Sequence, residues 1–295
     1  MGTVFLAEHA LIKRRVAIKI LHQDLATNAD VIERFMNEAR AAGTLGHPNI
    51  VESTDMGFVR RDIPYIVFEY LEGCLLTEEI RRIGTLPVRH ALVIARQVAS
   101  ALEAAHHAQI AHLDLKGDNV FLTQRGNALI HAKLIDFGIS RFMAIEFERT
   151  PPGILMGTPE FMAPEQVIDP AQADYRADIY ALGVLIYEML SGRCPFEDDD
   201  PRRVLTRVLH DPPPMLDRAV PPLLEQLVFD GLLVKARARR LQSMADVLPV
   251  LDALLAASRP ASQRHGVERS DALVAPIWPL EPDAISLDSA LDATA

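Results

Sequence analysis

Alternating apolar and polar positions open the chain and then give way to helical spacing. Residues 3–21 are rich in Val, Ile and Phe, and their alternation around a polar turn predicts two strands joined as a hairpin. Apolar residues recur at helical spacing over residues 29–45, and Asn28 or Thr27 can cap the start of that helix. Strand character returns over residues 50–59 and 65–70. A small sheet with one helix is therefore predicted for the first part of the chain.

Helical spacing dominates beyond Gly73. The predicted helices cover residues 88–108, 175–191 and 243–257, so the second part of the chain is expected to be mainly α. From residue 258 onwards Pro, Ser, Asp, Ala and Arg follow one another without sustained periodicity. We interpret residues 258–295 as a disordered tail, because such a composition offers too little apolar surface to form a core.

Composition narrows the class of protein. A length of 295 residues exceeds that of most single domains and suits a protein of more than one lobe. A composition of 49% hydrophobic and 24% charged residues is ordinary for a globular protein. A net charge of −10 argues against nucleic-acid binding, which normally requires a basic face. Two cysteines allow no disulfide framework, so the cytoplasm is the expected compartment. No apolar run approaches the roughly 20 residues that cross a bilayer, so no membrane span is expected.

Two short motifs carry the candidate chemistry. Residues 112–119 read HLDLKGDN, and residues 136–138 read DFG. Together they supply a carboxylate, a lysine and two oxygen-bearing side chains that suit a hard cation. Transfer of a phosphoryl group needs positioning and charge neutralisation more than covalent chemistry, and these side chains provide both. The sequence therefore predicts a phosphoryl-transfer site.

The order of these motifs resembles that of the eukaryotic-type Ser/Thr protein kinases, especially their bacterial branch. Matching motifs on both sides are VAIK at residues 16–19 and APE at residues 163–165. The resemblance covers residues 1–257 and implies the two-lobed α+β protein kinase fold. A small, β-rich N-lobe with one helix is expected over residues 1–68, a hinge over 69–73, and a larger, mainly α C-lobe over 74–257.

The resemblance also implies roles for individual residues. Asp114 corresponds to the carboxylate that accepts or orients the substrate hydroxyl proton, and Lys116 to the lysine that steadies the γ-phosphate. Lys19 is expected to face the α- and β-phosphates, with Glu38 as the ion-pair partner that holds it. Thr158 is expected to support Asp114 and Lys116.

ATP and Mg²⁺ are the implied cofactors. Asn119 and Asp136 correspond to the metal ligands, whereas Asp118 is interpreted as a neighbouring loop residue. The adenine slot is expected to be an apolar sandwich, with Phe68 at its rear. The residues expected to contact the nucleotide are Gly2, Val4, Ala17, Lys19, Glu69, Leu71 and Phe121.

Further expectations concern the scaffold of the C-lobe. Glu165 is expected to pair with Arg240, and Asp178 to accept hydrogen bonds from the backbone of the catalytic loop. Among the ten histidines, only His112 is assigned a role in a motif. Cys74 lies just beyond the hinge, and an inert thiol is favoured over a reactive one.

Two positions depart from the family pattern. The glycine-rich loop G-x-G-x-x-G-x-V survives only as Gly2, Thr3 and Val4, so the first strand is missing and nucleotide binding should be weaker. An upstream start is favoured over a truncated gene as the explanation. Leu113 occupies the place of an arginine that normally pairs with a phosphate on the activation segment, so control by phosphorylation is expected to be weak.

Three functions remain open from the sequence. The favoured one is a protein kinase that phosphorylates Ser or Thr of protein substrates, including itself. A scaffold of the pseudokinase type is the alternative, because the phosphate loop is incomplete. A small-molecule phosphotransferase is disfavoured by the combination of Lys116, Thr158 and Glu165, which match a protein-substrate segment.

Overall fold

The computed structural model describes residues 2–59, 62–125, 129–136 and 158–258. Strands and one helix alternate first, and helices dominate afterwards. The strands are β1 (Gly2–Glu8), β2 (Arg15–Leu21), β3 (Ser53–Val59), β4 (Ile63–Glu69), β5 (Gly73–Leu75), β6 (Val120–Arg125) and β7 (Leu129–Leu134). The α-helices are α1 (Ala29–Leu45), α2 (Leu76–Ile83), α3 (Val88–His107), α4 (Pro164–Ile168), α5 (Arg176–Ser191), α6 (Pro201–His210), α7 (Pro222–Gln226) and α8 (Met244–Ala257).

The first lobe is an antiparallel sheet covered by α1. Four strands pair in the order β1-β2-β4-β3. The helix begins where the Asn28 side chain accepts hydrogen bonds from two backbone N–H groups, and it ends at Gly46, whose φ of 51° lies in the left-handed region. Its buried residues Val31, Phe35 and Ala39 recur at helical spacing and pack on the sheet. The predicted sheet with one helix is confirmed.

The second lobe is built around α5. Helix α5 is buried on all sides, as a helix that is apolar around its whole circumference should be. It packs with α3 and α8 into the main hydrophobic core of the protein. Six consecutive π-helical residues, Leu227–Leu232, follow α7 and rest against α5. The larger, mainly α lobe agrees with the expected kinase fold.

A second sheet interrupts the region that the sequence analysis predicted as helical. Strands β5, β6 and β7 pair antiparallel in that order. The prediction missed them because β5 has only three residues and the other two strands are short. The Val51 amide donates to the Leu134 carbonyl at 2.9 Å, so this sheet joins the first lobe to the second. It also carries residue 119 at one end of β6 and residue 136 just beyond β7.

Several predictions fall outside the described residues. These include the second and third residues of the DFG motif, Phe137 and Gly138, and the interpretation of residues 259–295 as a tail. Within the described part of the chain, no helix combines the length and apolar character needed to cross a membrane.

Candidate active site

Asp178, a buried carboxylate on α5, anchors the catalytic loop (residues 112–119). The backbone amide of His112 donates to Asp178 Oδ2 at 2.9 Å, and that of Leu113 donates to Oδ1 at 2.6 Å. Asp178 is fully buried, so its charge depends on these donors for compensation. The expected contact between Asp178 and the loop backbone is confirmed.

Leu113 adopts an unusual backbone conformation for a residue with a side chain. Its φ of 59° lies in the left-handed region, a conformation that costs about 1–3 kcal/mol unless the surroundings enforce it. Asp178 fixes its amide, and the Gln166 side chain on α4 donates to its carbonyl at 2.9 Å. Its side chain packs against the main core. Hydrogen bonds therefore fix both the amide and the carbonyl group of Leu113.

Three polar side chains of the loop converge above that anchor. The Lys116 ammonium lies 3.1 Å from Asp114 Oδ2. The Asn119 amide nitrogen donates to the Asp114 carbonyl at 2.7 Å and to Asp114 Oδ2 at 3.1 Å. Gly117 allows the loop to approach α2, because a Cβ there would lie 2.4 Å from the Thr77 hydroxyl oxygen. The Asp114 carboxylate thus lies between the Lys116 ammonium and the Asn119 side-chain amide.

A second cluster lies where β2, α1 and the end of β7 meet. The Lys19 ammonium contacts Glu38 Oε1 at 2.8 Å and Asp136 Oδ1 at 2.7 Å. The Lys19 and Glu38 side chains are almost fully buried, whereas Asp136 is 40% exposed. The expected pairing of Lys19 with Glu38 is present, and Lys19 also bonds the residue predicted to bind metal.

Two carboxylates share one ammonium group in this cluster, and their pKa values diverge. Burial raises the pKa of Glu38 to about 8 and outweighs the opposite effect of Lys19. Desolvation also acts to raise the pKa of Asp136, but the charge of Lys19 and bonds with Glu38 and Lys19 hold it below its usual value. The pKa of Glu38 therefore lies above that of Asp136, so Glu38 takes up a proton before Asp136 does as the pH falls.

This divergence predicts a pH-dependent stability. Because Glu38 has a pKa of about 8 in the folded protein against an ordinary 4.5, the folded state binds more protons between those values. The free energy of unfolding should therefore fall as pH rises through that window. We expect Glu38→Gln, which cannot titrate, to reduce this fall by at least about 1.4 kcal/mol, the equivalent of one pKa unit. Urea unfolding at about pH 5 and about pH 8 measures the difference.

The control for this experiment is Glu33→Gln, which changes an exposed carboxylate on the same helix. It should leave the pH dependence as in the parent protein. Equal pH dependence in the parent protein and Glu38→Gln would show that Glu38 is ionised throughout.

A largely apolar cavity of about 240 Å³ lies between the two lobes. Val4 and Ala17 line it from the first sheet, Phe121 lines it from β6, and the buried Phe68 on β4 lines it as well. Lys19 and Asp136 stand at its polar end. Of the seven residues expected to contact the nucleotide, Gly2 is the exception, because it pairs with Leu21 at the end of β1 and does not line this cavity. Phe5, Leu6, Val51 and Ile135 also line it, although no sequence motif pointed to them.

Glu69 and Leu71 border the cavity at the connection between the lobes. The Glu69 carboxylate bonds the Lys133 ammonium at 2.5 Å and accepts from the Glu52 amide at 2.9 Å. Both the side chain of Glu69 and its amide, which donates to the Glu52 carbonyl at 3.0 Å, therefore stabilise the connection. Cys74 follows on β5, and burial raises its pKa to about 11, so the thiol stays protonated and inert.

The donor set suits a magnesium ion that is shared with phosphate groups. Because the Asn119 amide nitrogen is bonded to Asp114, its amide oxygen remains available to a cation. The Ile135 amide donates to the Asn119 carbonyl at 2.9 Å, which brings Asn119 and Asp136 to the same end of the second sheet. In the described ranges, no group of three or more His, Cys, Asp or Glu side chains could enclose a metal by itself. Mg²⁺ typically uses one or two protein ligands together with phosphate oxygens.

Thr158 begins the described segment that precedes α4. Among the residues that the structure describes, no hydrogen bond joins it to Asp114 or Lys116, so its supporting role stays a prediction. It lines a second cavity of about 690 Å³ beside the catalytic loop. Six carboxylates and two guanidinium groups surround that cavity, which is therefore acidic: Asp118, Glu160, Glu188, Glu197, Asp198, Asp199, Arg81 and Arg203.

Two further side chains help to hold the loop, and neither was predicted from the sequence. Gln166 accepts from the Ala163 amide at 3.0 Å and donates to Leu113, so it ties the APE segment to the loop. His106 lies 2.7 Å from Asp178, which means that His112 is not the only histidine associated with a motif. The position of Gln166 directly after APE was the only sequence signal, and His106 offered none.

Comparison with known proteins agrees with this geometry. The protein kinase domain family matches residues 1–240. Serine/threonine-protein kinase Pkn1 of Myxococcus xanthus is 40% identical over 81% of the chain, and PrkC of Bacillus subtilis is 37% identical over 81%. PknA of Mycobacterium tuberculosis is 35% identical over 88%. The matched regions span 34%, 36% and 60% of those relatives, respectively. The chain belongs to the bacterial branch of the eukaryotic-type Ser/Thr protein kinase family.

Proposed function

We propose that this chain transfers the γ-phosphate of Mg-ATP to serine or threonine hydroxyls of protein substrates. The observation that carries the proposal is the convergence of Lys116 and Asn119 on Asp114, each within 3.4 Å of it, on a loop anchored from α5. Such positioning is the main requirement of phosphoryl transfer, since the transition state needs alignment and charge stabilisation. A scaffold without chemistry has no need of this arrangement.

We assign the acceptor hydroxyl to Asp114. Its carboxylate is 37% exposed, so a substrate hydroxyl can reach it. There it orients the hydroxyl and takes up its proton, while Lys116 faces the transferring phosphate. Asn119 restrains Asp114 through its amide nitrogen. Thr158 lies on the segment where the substrate would run, as the family resemblance implies.

Lys19, Asn119 and Asp136 form the phosphate and metal side of the proposed site. Bound Mg²⁺ would supply charge neutralisation between the β- and γ-phosphates. Asn119 and Asp136 are the residues that would hold it, and Lys19 would face the α- and β-phosphates. Because Lys19 bonds Asp136 directly, the ammonium already lies beside the position where negative charge must be accommodated.

The apolar cavity between the lobes fits the adenine ring. Val4, Ala17 and the Phe121 ring offer apolar surface, and the connection at Glu69 and Leu71 borders the cavity with backbone polar groups. We take residues 1–257 as the kinase domain, with residues 69–73 as its hinge, and propose the cytoplasm as its compartment, where ATP and Mg²⁺ are abundant. The two cysteines of the chain are unpaired, in agreement with a reducing compartment.

Transfer of labelled γ-phosphate from Mg-ATP tests the proposal. A lysine-rich histone is a suitable acceptor, because the cavity beside the catalytic loop is acidic. We expect incorporation by the parent protein and a loss of about 10²-fold or more in Lys19→Met, which removes one preorganised cation. Phosphoamino-acid analysis should find phosphoserine or phosphothreonine.

Lys13→Met is the matched control, since the Lys13 side chain is 70% exposed and its only ion pair in the described part of the chain is with Glu8. It should retain full transfer. Nucleotide binding without any transfer by the parent protein would favour the scaffold instead.

A further inference from the structure

Gln166 lies in the first turn of α4, directly after the APE segment. Its side-chain oxygen accepts from the Ala163 amide at 3.0 Å, and its side-chain nitrogen donates to the Leu113 carbonyl at 2.9 Å. The second bond spans 53 positions of sequence and reaches the catalytic loop one residue before Asp114. One side chain therefore connects α4 to the residue that precedes the proposed catalytic carboxylate.

The two partners fix the orientation of the Gln166 side-chain amide. A backbone N–H can only donate and a carbonyl can only accept, so the side-chain oxygen must face Ala163 and the nitrogen must face Leu113. The rotated amide would place donor against donor and acceptor against acceptor. A glutamate at this position could therefore keep the contact with Ala163, whereas its ionised carboxylate has no hydrogen to donate to Leu113.

The bond from Gln166 fixes the peptide unit that joins Leu113 to Asp114. The carbonyl of this unit accepts from Gln166, and its amide donates to His112 Nδ1 at 3.3 Å. Leu113 has a φ of 59°, a conformation that persists only where the surrounding contacts enforce it. Rotation of the peptide would break both hydrogen bonds and would redirect Asp114. The direction in which the Asp114 side chain projects therefore depends on Gln166.

The other end of this link belongs to the segment beside the acidic cavity. Ala163 is fully buried, which gives the link a fixed base. Thr158, Glu160 and Phe161 come shortly before it and line the cavity of about 690 Å³. A protein acceptor in this cavity would therefore rest on a segment that is bonded to the same peptide unit as Asp114.

We propose that Gln166 is a positioning residue for phosphoryl transfer, because it bonds the segment that would support the protein acceptor to the peptide unit that directs Asp114. It acts through Leu113 and keeps the Asp114 carboxylate aligned with the acceptor hydroxyl. A displacement of about 1 Å at such a group can cost about 10²-fold in rate. The kinetic consequence rests on the proposed kinase activity. The structural consequence, the rigidity of the loop backbone, is independent of that activity.

Replacement of Gln166 by glutamate tests this role. Glutamate keeps the length of the side chain and can still accept from Ala163, as is common in the first turn of a helix, but it cannot donate to Leu113. We expect kcat to fall about tenfold or more, with KM for ATP within about twofold, because other residues line the nucleotide cavity. Hydrogen exchange of the backbone amides of residues 112–114 should accelerate. A role limited to capping α4 would instead leave Gln166→Glu like the parent protein.

Gln172→Glu is the matched control. Gln172 follows α4, is exposed, and its side chain donates to Asp169 Oδ2 at 2.7 Å. The same charge is added there at a side chain that, among the described residues, has no hydrogen bond to the catalytic loop. This variant should leave both kcat and loop exchange unchanged. If Gln166→Glu does not fold, Gln166→Met replaces it, because methionine has a similar length and cannot donate to Leu113.

The results separate this inference from the proposed function. Faster loop exchange in Gln166→Glu, with a lower kcat and an unchanged KM for ATP, supports it. If the parent protein transfers no phosphate, the exchange result decides: acceleration supports the link, and no change overturns it. In an active protein, an unchanged kcat overturns the positioning role even if exchange accelerates, because the loop then loosens without affecting transfer. A lower kcat together with a raised KM for ATP would also overturn it, since that result indicates distortion of both lobes.

Discussion

Replacing Asp114 by asparagine should lower phosphoryl transfer about 10²- to 10⁴-fold, the range that a positioned general base contributes. Asparagine keeps the size of the side chain, so the hydrogen bond from the Asn119 amide to the Asp114 carbonyl is unaffected. It removes the charge beside Lys116 and the site that takes up the hydroxyl proton. The expected signature is a lower kcat with little change in KM for ATP, measured with labelled γ-phosphate.

Asp118→Asn is the control for this prediction. Asp118 belongs to the same loop and has the same side chain, but it is exposed and faces the acidic second cavity. Transfer by Asp118→Asn should remain within about threefold of the parent when the acceptor is neutral. A tenfold or larger loss in Asp118→Asn with an intact Asp114→Asn would reverse the assignment of the two carboxylates.

The second large effect concerns stability. Arg240 is buried, and its guanidinium bonds both carboxylate oxygens of Glu165, at 2.7 Å and 3.0 Å. It also donates to the carbonyl groups of Arg176 and Val234 and lies over the Tyr180 ring. We expect Arg240→Leu to lower the free energy of unfolding by about 3–5 kcal/mol, because it leaves the Glu165 carboxylate without its counter-charge. Urea unfolding monitored by circular dichroism measures this loss.

Arg96→Leu provides the comparison. Arg96 lies 2.9 Å from Asp252, but both side chains are about half exposed, so the pair should contribute at most about 1 kcal/mol. Similar losses in the two variants would mean that burial does not distinguish the pairs. A loss under about 1 kcal/mol in Arg240→Leu would show that water or a rearranged donor replaces the guanidinium near Glu165.

Local periodicity predicted the elements that are long and strongly patterned. The bounds of α1 agree with the prediction, because its cap at Asn28 and its apolar spacing are both readable along the chain. The short strands of the second sheet were missed, since three to six residues give no sustained period and their pairing joins segments far apart in sequence.

The motifs determined which residue types the site contains. They pointed to Lys19 and Glu38 as a pair and to Asp136 as a metal ligand, and the structure joins the three into one unit, with the Lys19 ammonium 2.8 Å from Glu38 and 2.7 Å from Asp136. Motif spacing cannot give the protonation of that unit. Whether Glu38 carries a proton depends on how deeply it is buried and on the sharing of one ammonium between two carboxylates.

The sequence by itself determined the family, the division into a β-rich and a mainly α lobe, and the identity of the catalytic loop, because local patterns and short motifs specify these features. The family resemblance also pointed to Asp178 as an anchor of the loop, and only the tertiary structure revealed the further side chains that complete this support. Gln166 on α4 donates to the Leu113 carbonyl, and His106 on α3 contacts Asp178 on α5, which accepts from the amides of residues 112–113. Their roles arise from hydrogen bonds across 53 to 72 residues of sequence, and no local pattern encodes a contact at that distance.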